Sequence, residues 1–144
     1  MLRLTLLSII ILNIGSEKSF AQDRISQLKG IWVVTSYYEG YATSYGKDSA
    51  NSVIGKNLFV TDSTLSFLNY KLINPSYSLK KISSNELFPI FRRGARDVGI
   101  KTETIEVIRV QNPRLSYDWF EIVVDGGRII YPDDGWFYVC TKVN

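Results

Sequence analysis

Leu28-Lys29-Gly30-Ile31-Trp32-Val33-Val34 is the stretch on which the reading of this chain turns. Gly30 interrupts whatever precedes it, and the β-branched and aromatic residues that follow favour an extended backbone. Residues 31–38 alternate with the period of a strand. Trp32, Val34 and Ser36 fall on one face, Ile31, Val33 and Thr35 on the other. Upstream, Asp23 to Leu28 can make a helical turn capped by Asp23, with Ile25 and Leu28 on one side. The stretch therefore predicts a short helical turn, a glycine stop and a first strand.

Downstream the same period recurs. Strands are expected over residues 54–61, 64–69, 76–82, 102–111, 119–124, 128–131 and 136–143, with another over 85–91 that Pro89 confines to an edge. Leu58 and Val60, Leu65 and Phe67, and Tyr77 and Leu79 are the inward pairs. Asp125-Gly126-Gly127 and Pro132-Asp133-Asp134-Gly135 read as hairpin turns, residues 39–52 as a long loop, and residues 92–99 as a loop holding a helical turn. Eight or so short strands without a long helix predict an all-β fold, a single antiparallel up-and-down β-barrel. Closure would hide the edges of such apolar strands. Spacing alone leaves a two-sheet sandwich open.

The N-terminus reads differently. Met1-Leu2-Arg3 is a short basic region, Leu4 to Ile14 is apolar, and Ser19-Phe20-Ala21 places small residues at the −3 and −1 positions of a cleavage site. The apolar run is shorter than the ~20 residues a membrane span needs. The expectation is a signal peptide over residues 1–21, cleaved after Ala21, and one secreted or periplasmic domain over residues 22–144. The 17 basic and 14 acidic residues lose Arg3, Lys18 and Glu17 with it, leaving 15 and 13, a net charge of +2. That balance gives no electrostatic reason to expect nucleic acid or an anionic membrane as partner. Cys140 is the sole cysteine, so no internal disulfide can form, and its apolar surroundings suggest a buried, inert thiol.

The helical turn, Gly30-x-Trp32 and the meander resemble the lipocalin-like (calycin) group. In that group the tryptophan packs across the closed end of the barrel and a basic residue near the C-terminus covers it. The resemblance implies that Gly30, Trp32 and Lys142 are structural, Lys142 lying over Trp32 in a cation–π contact. Ile54-Gly55-Lys56, Asn74-Pro75-x-Tyr77, residues 99–108 and Asp134-Gly135-Trp136-Phe137 resemble, more specifically, secreted bacterial lipocalin-like proteins of unknown function. The resemblance spans nearly the whole mature chain and implies a fold and a compartment, with no activity attached. The Thr-Asp-Tyr loop motif of classical lipocalins is absent, so their transport role does not carry over.

The chain contains no histidine, which removes the commonest general base and the His-dependent nucleophile arrangements. No phosphate-cradling glycine loop, metal-ligand spacing or cofactor motif is present. Asp133-Asp134 is the one adjacent acid pair, and its Pro-Asp-Asp-Gly setting reads as a turn. Catalysis could still rest on two carboxylates or a lysine, and an enzyme reading would gain ground if Asp133, Asp134 and a basic residue converged in one cleft. Arg92, Arg93 and Arg96 form the densest basic patch, either a carboxylate- or phosphate-binding group or a solvated loop.

Tyr37, Tyr38, Tyr41 and Tyr45 crowd the end of the first strand and the loop after it, at the barrel end opposite Trp32. Tyrosine offers a flat apolar body and a polar tip, which suits the mouth of a small-ligand site. The leading expectation is thus a monomeric, non-enzymatic barrel binding a small apolar or aromatic ligand through these four tyrosines. The alternative is a protein-binding module, an inhibitor or immunity-type protein for an exported enzyme, using residues 39–53 and 92–99.

Overall fold

The structure, a computed structural model, describes residues 21–88, 92–115 and 118–144. The expected export signal, apart from Ala21, lies outside the described residues. Residues 21–28 are helical (α1), so Asp23 sits inside the helix and does not cap it. Nine strands follow: β1 (Gly30–Glu39), β2 (Asn57–Val60), β3 (Thr64–Phe67), β4 (Tyr70–Ile73), β5 (Ser76–Ser83), β6 (Thr104–Gln111), β7 (Trp119–Asp125), β8 (Arg128–Asp133) and β9 (Trp136–Lys142). A short helix, α2 (Lys47–Asn51), interrupts the expected loop after β1. No described helix is long and apolar enough to cross a membrane.

All nine strands belong to one sheet in the order β4-β3-β2-β1-β9-β8-β7-β6-β5, every neighbour antiparallel. The protein is all-β, an up-and-down meander curled into a half-barrel, and the two-sheet alternative falls away. The first and last strands pair at the centre of this order, while β4 and β5 are its ends. No ladder joins those two among the described residues, so the curl stops short of a hydrogen-bonded closure. The ninth strand is β4. Phe67 pairs with Tyr70, and the two-residue turn between them carries Leu68 at φ 52°, a turn without the glycine or proline that marks turns in sequence.

The inner face holds the main core: Trp32, Val34, Leu58, Leu65, Phe67, Ile108, Ile122, Ile129, Trp136 and Tyr138 are all buried there. A β-bulge resets the alternation of β1. Val34 pairs with Cys140 but Ser36 with Val139, leaving Thr35 as the extra residue. After it the inward position passes to Tyr37, and Ser36, expected to share the Trp32 face, is exposed.

The outer face of the sheet carries a second core. Ile105, Val107, Val123, Ile130 and Phe137 are covered by Leu87, Ala95, Val98 and Ile100 from the segment between β5 and β6. Residues 85–88 are therefore not a strand. Ser83 and Glu86 form a capping box, the Glu86 carboxylate accepting from the Ser83 amide at 2.7 Å, and Ser84–Glu86 is a 3-10 turn. Residues 89–91, including Pro89, lie outside the described residues. Ala95–Val98 is the expected helical turn, ended by Gly99 at φ 73°.

Candidate functional site

The register sorts strand ends into two groups. Trp32 pairs with Lys142 and Asp125 with Arg128 at one end; Phe67 pairs with Tyr70, Gln111 with Trp119 and Asp133 with Trp136 at the other.

At the first end Trp32 is 5% exposed and its indole Nε1 donates to the Leu28 carbonyl at 2.7 Å. Lys142 Nζ lies 5.5 Å from the ring centroid and donates to the Gln27 carbonyl at 2.7 Å. Gly30, at φ 135°, leaves room for that side chain, since a Cβ there would stand 2.8 Å from Lys142 Cε. Helix α1, the tryptophan and the lysine thus fasten one another. A small hollow of about 240 Å³ remains beneath the helix, floored by Leu28, Trp32, Ile108 and Ile129.

A larger cleft, about 730 Å³, opens at the other end between residues 67–70, 118–120 and 131–134. Its walls are aromatic because four strands, β3, β4, β7 and β8, each deliver a ring. Tyr131 packs between Phe67 and Phe120, at centroid distances of 4.7 and 5.2 Å, and Tyr70 meets Phe120 edge-on at 6.0 Å. Its charged groups are acids, Asp118, Asp133 and Asp134, with no lysine or arginine among the described lining residues. Asp118 accepts from the Tyr70 hydroxyl at 3.2 Å and from Asn112 Nδ2 at 2.9 Å. Asp133 accepts from the Tyr45 hydroxyl at 3.0 Å. Burial pushes the Asp133 carboxyl above its usual range, against the pull of the Tyr45 hydrogen bond, and the neighbouring Asp134 charge adds to the rise. Burial likewise raises the Tyr70 phenol, with Asp118 reinforcing it.

Asp134 and Gly135, at φ 46° and 83°, form the two-residue turn between β8 and β9, so the Asp-Asp pair is a turn as its setting implied. Asp133 and Asp134 both line the cleft, and no lysine or arginine stands among its described lining residues.

The four tyrosines do not share one mouth. Tyr37 points inward, edge-on to Trp136 at 5.1 Å, and its hydroxyl donates to Asn51 Oδ1 at 2.9 Å. Tyr45 stacks on Trp136 at 6.1 Å and supports the cleft from behind through Asp133 and Tyr138. Tyr38, one residue along the strand from Tyr37, necessarily faces the other way, into the outer core. Tyr41 is 83% exposed on the loop. The arginines also separate in role. Arg93 donates to the Gly40 carbonyl at 2.7 Å, whereas Arg92 and Arg96 are exposed.

Sequence reasoning missed Tyr70, Asp118, Trp119 and Tyr131 as a group. The signal was present in strand direction: in an up-and-down meander each of these stands where its strand meets the end opposite Trp32. Among the described residues, no group of three or more histidine, cysteine, aspartate or glutamate side chains is arranged to hold a metal ion. Comparison with models of known protein families, with curated proteins and with solved structures finds no match.

Proposed function

We propose that this chain is an exported, lipocalin-like binding protein that holds a small molecule with an aromatic or apolar body, without covalent chemistry. The observation that carries the reading is the aromatic cleft opposite Trp32. Its volume, about 730 Å³, suits a small ligand, and it combines several rings with a few fixed polar groups. The cleft offers about three times the volume of the hollow beneath α1, about 730 against 240 Å³, which favours it as the place for a ligand. The absence of histidine from the whole sequence favours binding over acid–base catalysis. The export signal and the Gly30-x-Trp32 opening favour the lipocalin-like reading.

A thermal-shift screen over aromatic, alkyl and lipid-like compounds tests the proposal. A ligand at 100 times its Kd stabilises by about 2.7 kcal/mol, a readily measured rise in Tm. Tyr70→Ala should abolish the rise while Tyr41→Ala preserves it. A screen without any rise, or one insensitive to Tyr70, rejects the reading.

One observation favours the second reading, a protein-binding module. The Arg93–Gly40 hydrogen bond draws the segments 39–53 and 92–99 together, beside the exposed Tyr41, Arg92 and Arg96. An exported enzyme inhibited stoichiometrically by the protein, and no longer by a Tyr41→Ala/Arg96→Glu variant, would establish that module.

A further inference from the structure

We infer that the ligand of the aromatic cleft is an organic cation, an ammonium group on an aromatic or alkyl body; the inference rests on the binding reading above and specifies its chemistry. Outside the cleft, every carboxylate among the described residues that is shielded from solvent is matched with a cation, and those without an ion pair, Asp23, Asp48, Glu86, Asp97 and Glu103, are exposed. Glu121 is bound by Lys80 and Arg109, Glu106 by Arg24 and Lys81, Asp125 by Arg128, Asp62 by Lys29 and Glu39 by Lys47. A chain with 17 basic and 14 acidic residues has cations to spare. Yet Asp118, Asp133 and Asp134 form no ion pair among the described residues, and all three line one cleft.

Their hydrogen-bond partners are neutral. Tyr45 holds Asp133, and Tyr70 with Asn112 holds Asp118, so the carboxylates are fixed in position without being neutralised. An anionic ligand would meet three like charges and, among the described lining residues, no basic side chain; Arg109, over the ring of Trp119, is already held by Glu121. A neutral one would leave that negative potential unused. A divalent metal lacks a ligand cluster among the described residues. An ammonium fits both halves of the lining. Carboxylates compensate its charge, and the rings of Tyr70, Phe120 and Tyr131 accept the body and attract the cation through their π faces. The separation of roles is physical: the rings supply affinity by burial, and the acids select the sign of the charge.

The test compares phenylpropylammonium, phenylpropanol and phenylpropanoate, three probes with one body and different heads, by calorimetric titration of the intact protein. The ammonium should bind at least about ten-fold more tightly than the alcohol, and the carboxylate more weakly than either. In Asp118→Asn/Asp133→Asn, a near-isosteric variant whose folding is checked by circular dichroism, ammonium affinity should fall to that of the alcohol, whose own affinity stays put. If ammonium and alcohol bind equally, or the carboxylate binds best, the cation inference is overturned while the binding cleft stands. If none of the three binds, both are overturned. Should the double variant unfold, raising salt on the native protein separates the same outcomes: ammonium affinity must fall and alcohol affinity must not.

Discussion

The Tyr45 hydroxyl donates to the Asp133 carboxylate at 3.0 Å and lies 2.8 Å from the Tyr138 hydroxyl, joining a loop residue to the last residue of β8 and the middle of β9. The bond is reinforced through the rings, since Tyr45 stacks on Trp136, whose indole in turn donates to the Tyr45 carbonyl at 3.1 Å. The loop after β1 therefore acts as the back wall of the acidic cleft.

Asp133 bears a stability cost that pH should reveal. Its folded-state pKa is raised above the ordinary 3.8, chiefly by burial. For an acid shifted that way, the fold favours the protonated form. The stabilising contribution is complete below 3.8 and is lost as pH rises through the folded value. At pH 7 the ionised group thus opposes folding. Asp133→Asn should raise Tm at pH 7, with the advantage over the native protein shrinking as pH is lowered toward 3.8. Thermal melts at stepped pH decide it; a difference independent of pH would mean that the charge is not the cause.

Trp32→Ala should destabilise by about 3–5 kcal/mol, because a buried ring is lost, the Leu28 carbonyl loses the indole donor and Lys142 loses the ring it covers. Binding at the far cleft should survive wherever the variant remains folded. Urea unfolding followed by titration with a cleft ligand checks both; a folded variant that had lost the ligand would place the site at the Trp32 end, in the hollow beneath α1.

Gly135 is a position that side chains cannot share. At φ 83° its backbone is left-handed, and a Cβ would come within 1.7 Å of the Ala42 carbonyl oxygen. The left-handed conformation alone costs a non-glycine residue about 1–3 kcal/mol, and the collision must also displace the loop. That loop is held to the turn by the Gly40 amide on the Gly135 carbonyl at 2.7 Å and the Ser44 amide on the Asp134 carbonyl at 3.2 Å. Gly135→Ala should therefore lower Tm and speed amide exchange at Gly40 and Ser44, whereas Gly46→Ala, which meets open space, should change neither by a comparable amount.

Alkaline stability should fail early for a reason spread through the core. Burial raises the Tyr77 phenol to about 12 and the Cys140 thiol to about 12, and raises Tyr45, Tyr131 and Tyr138 as well. Unfolded, the thiol ionises near 9.0 and the phenols near 10.0. The unfolded state therefore releases protons first, and stability falls as pH climbs above those values. The absorbance of the buried tyrosinates should rise together with loss of the fold, followed by circular dichroism. A single smooth titration without unfolding would show that the buried rings ionise inside the intact fold, contrary to this expectation.

Local pattern made much of the fold legible. Leu58 with Val60 and Leu65 with Phe67 are inward as their alternation implied, and Asp125-Gly126-Gly127 and Asp134-Gly135 are the turns their composition demanded. The departures share one cause, that a strand's period says which residues are alike and nothing of what lies against them. The bulge at Thr35 moves Tyr37 inward in place of Ser36, and the Ser83–Glu86 capping box turns an expected strand into cover for the outer core.

Residue type and spacing along the chain were enough for the all-β class, the antiparallel meander, the Gly30-Trp32 opening and the lack of histidine chemistry, because each is a local property of the chain. The site exists only in three dimensions. Tyr70, Asp118 and Tyr131 are separated by 48 and 13 residues, and they meet because strand curl and register bring three ends of one sheet together. Charge compensation is likewise a property of neighbours in space. Identical aspartates become a neutralised pair beside Arg128, as Asp125 does, or an unpaired ring around a cleft, as Asp118, Asp133 and Asp134 do among the described residues.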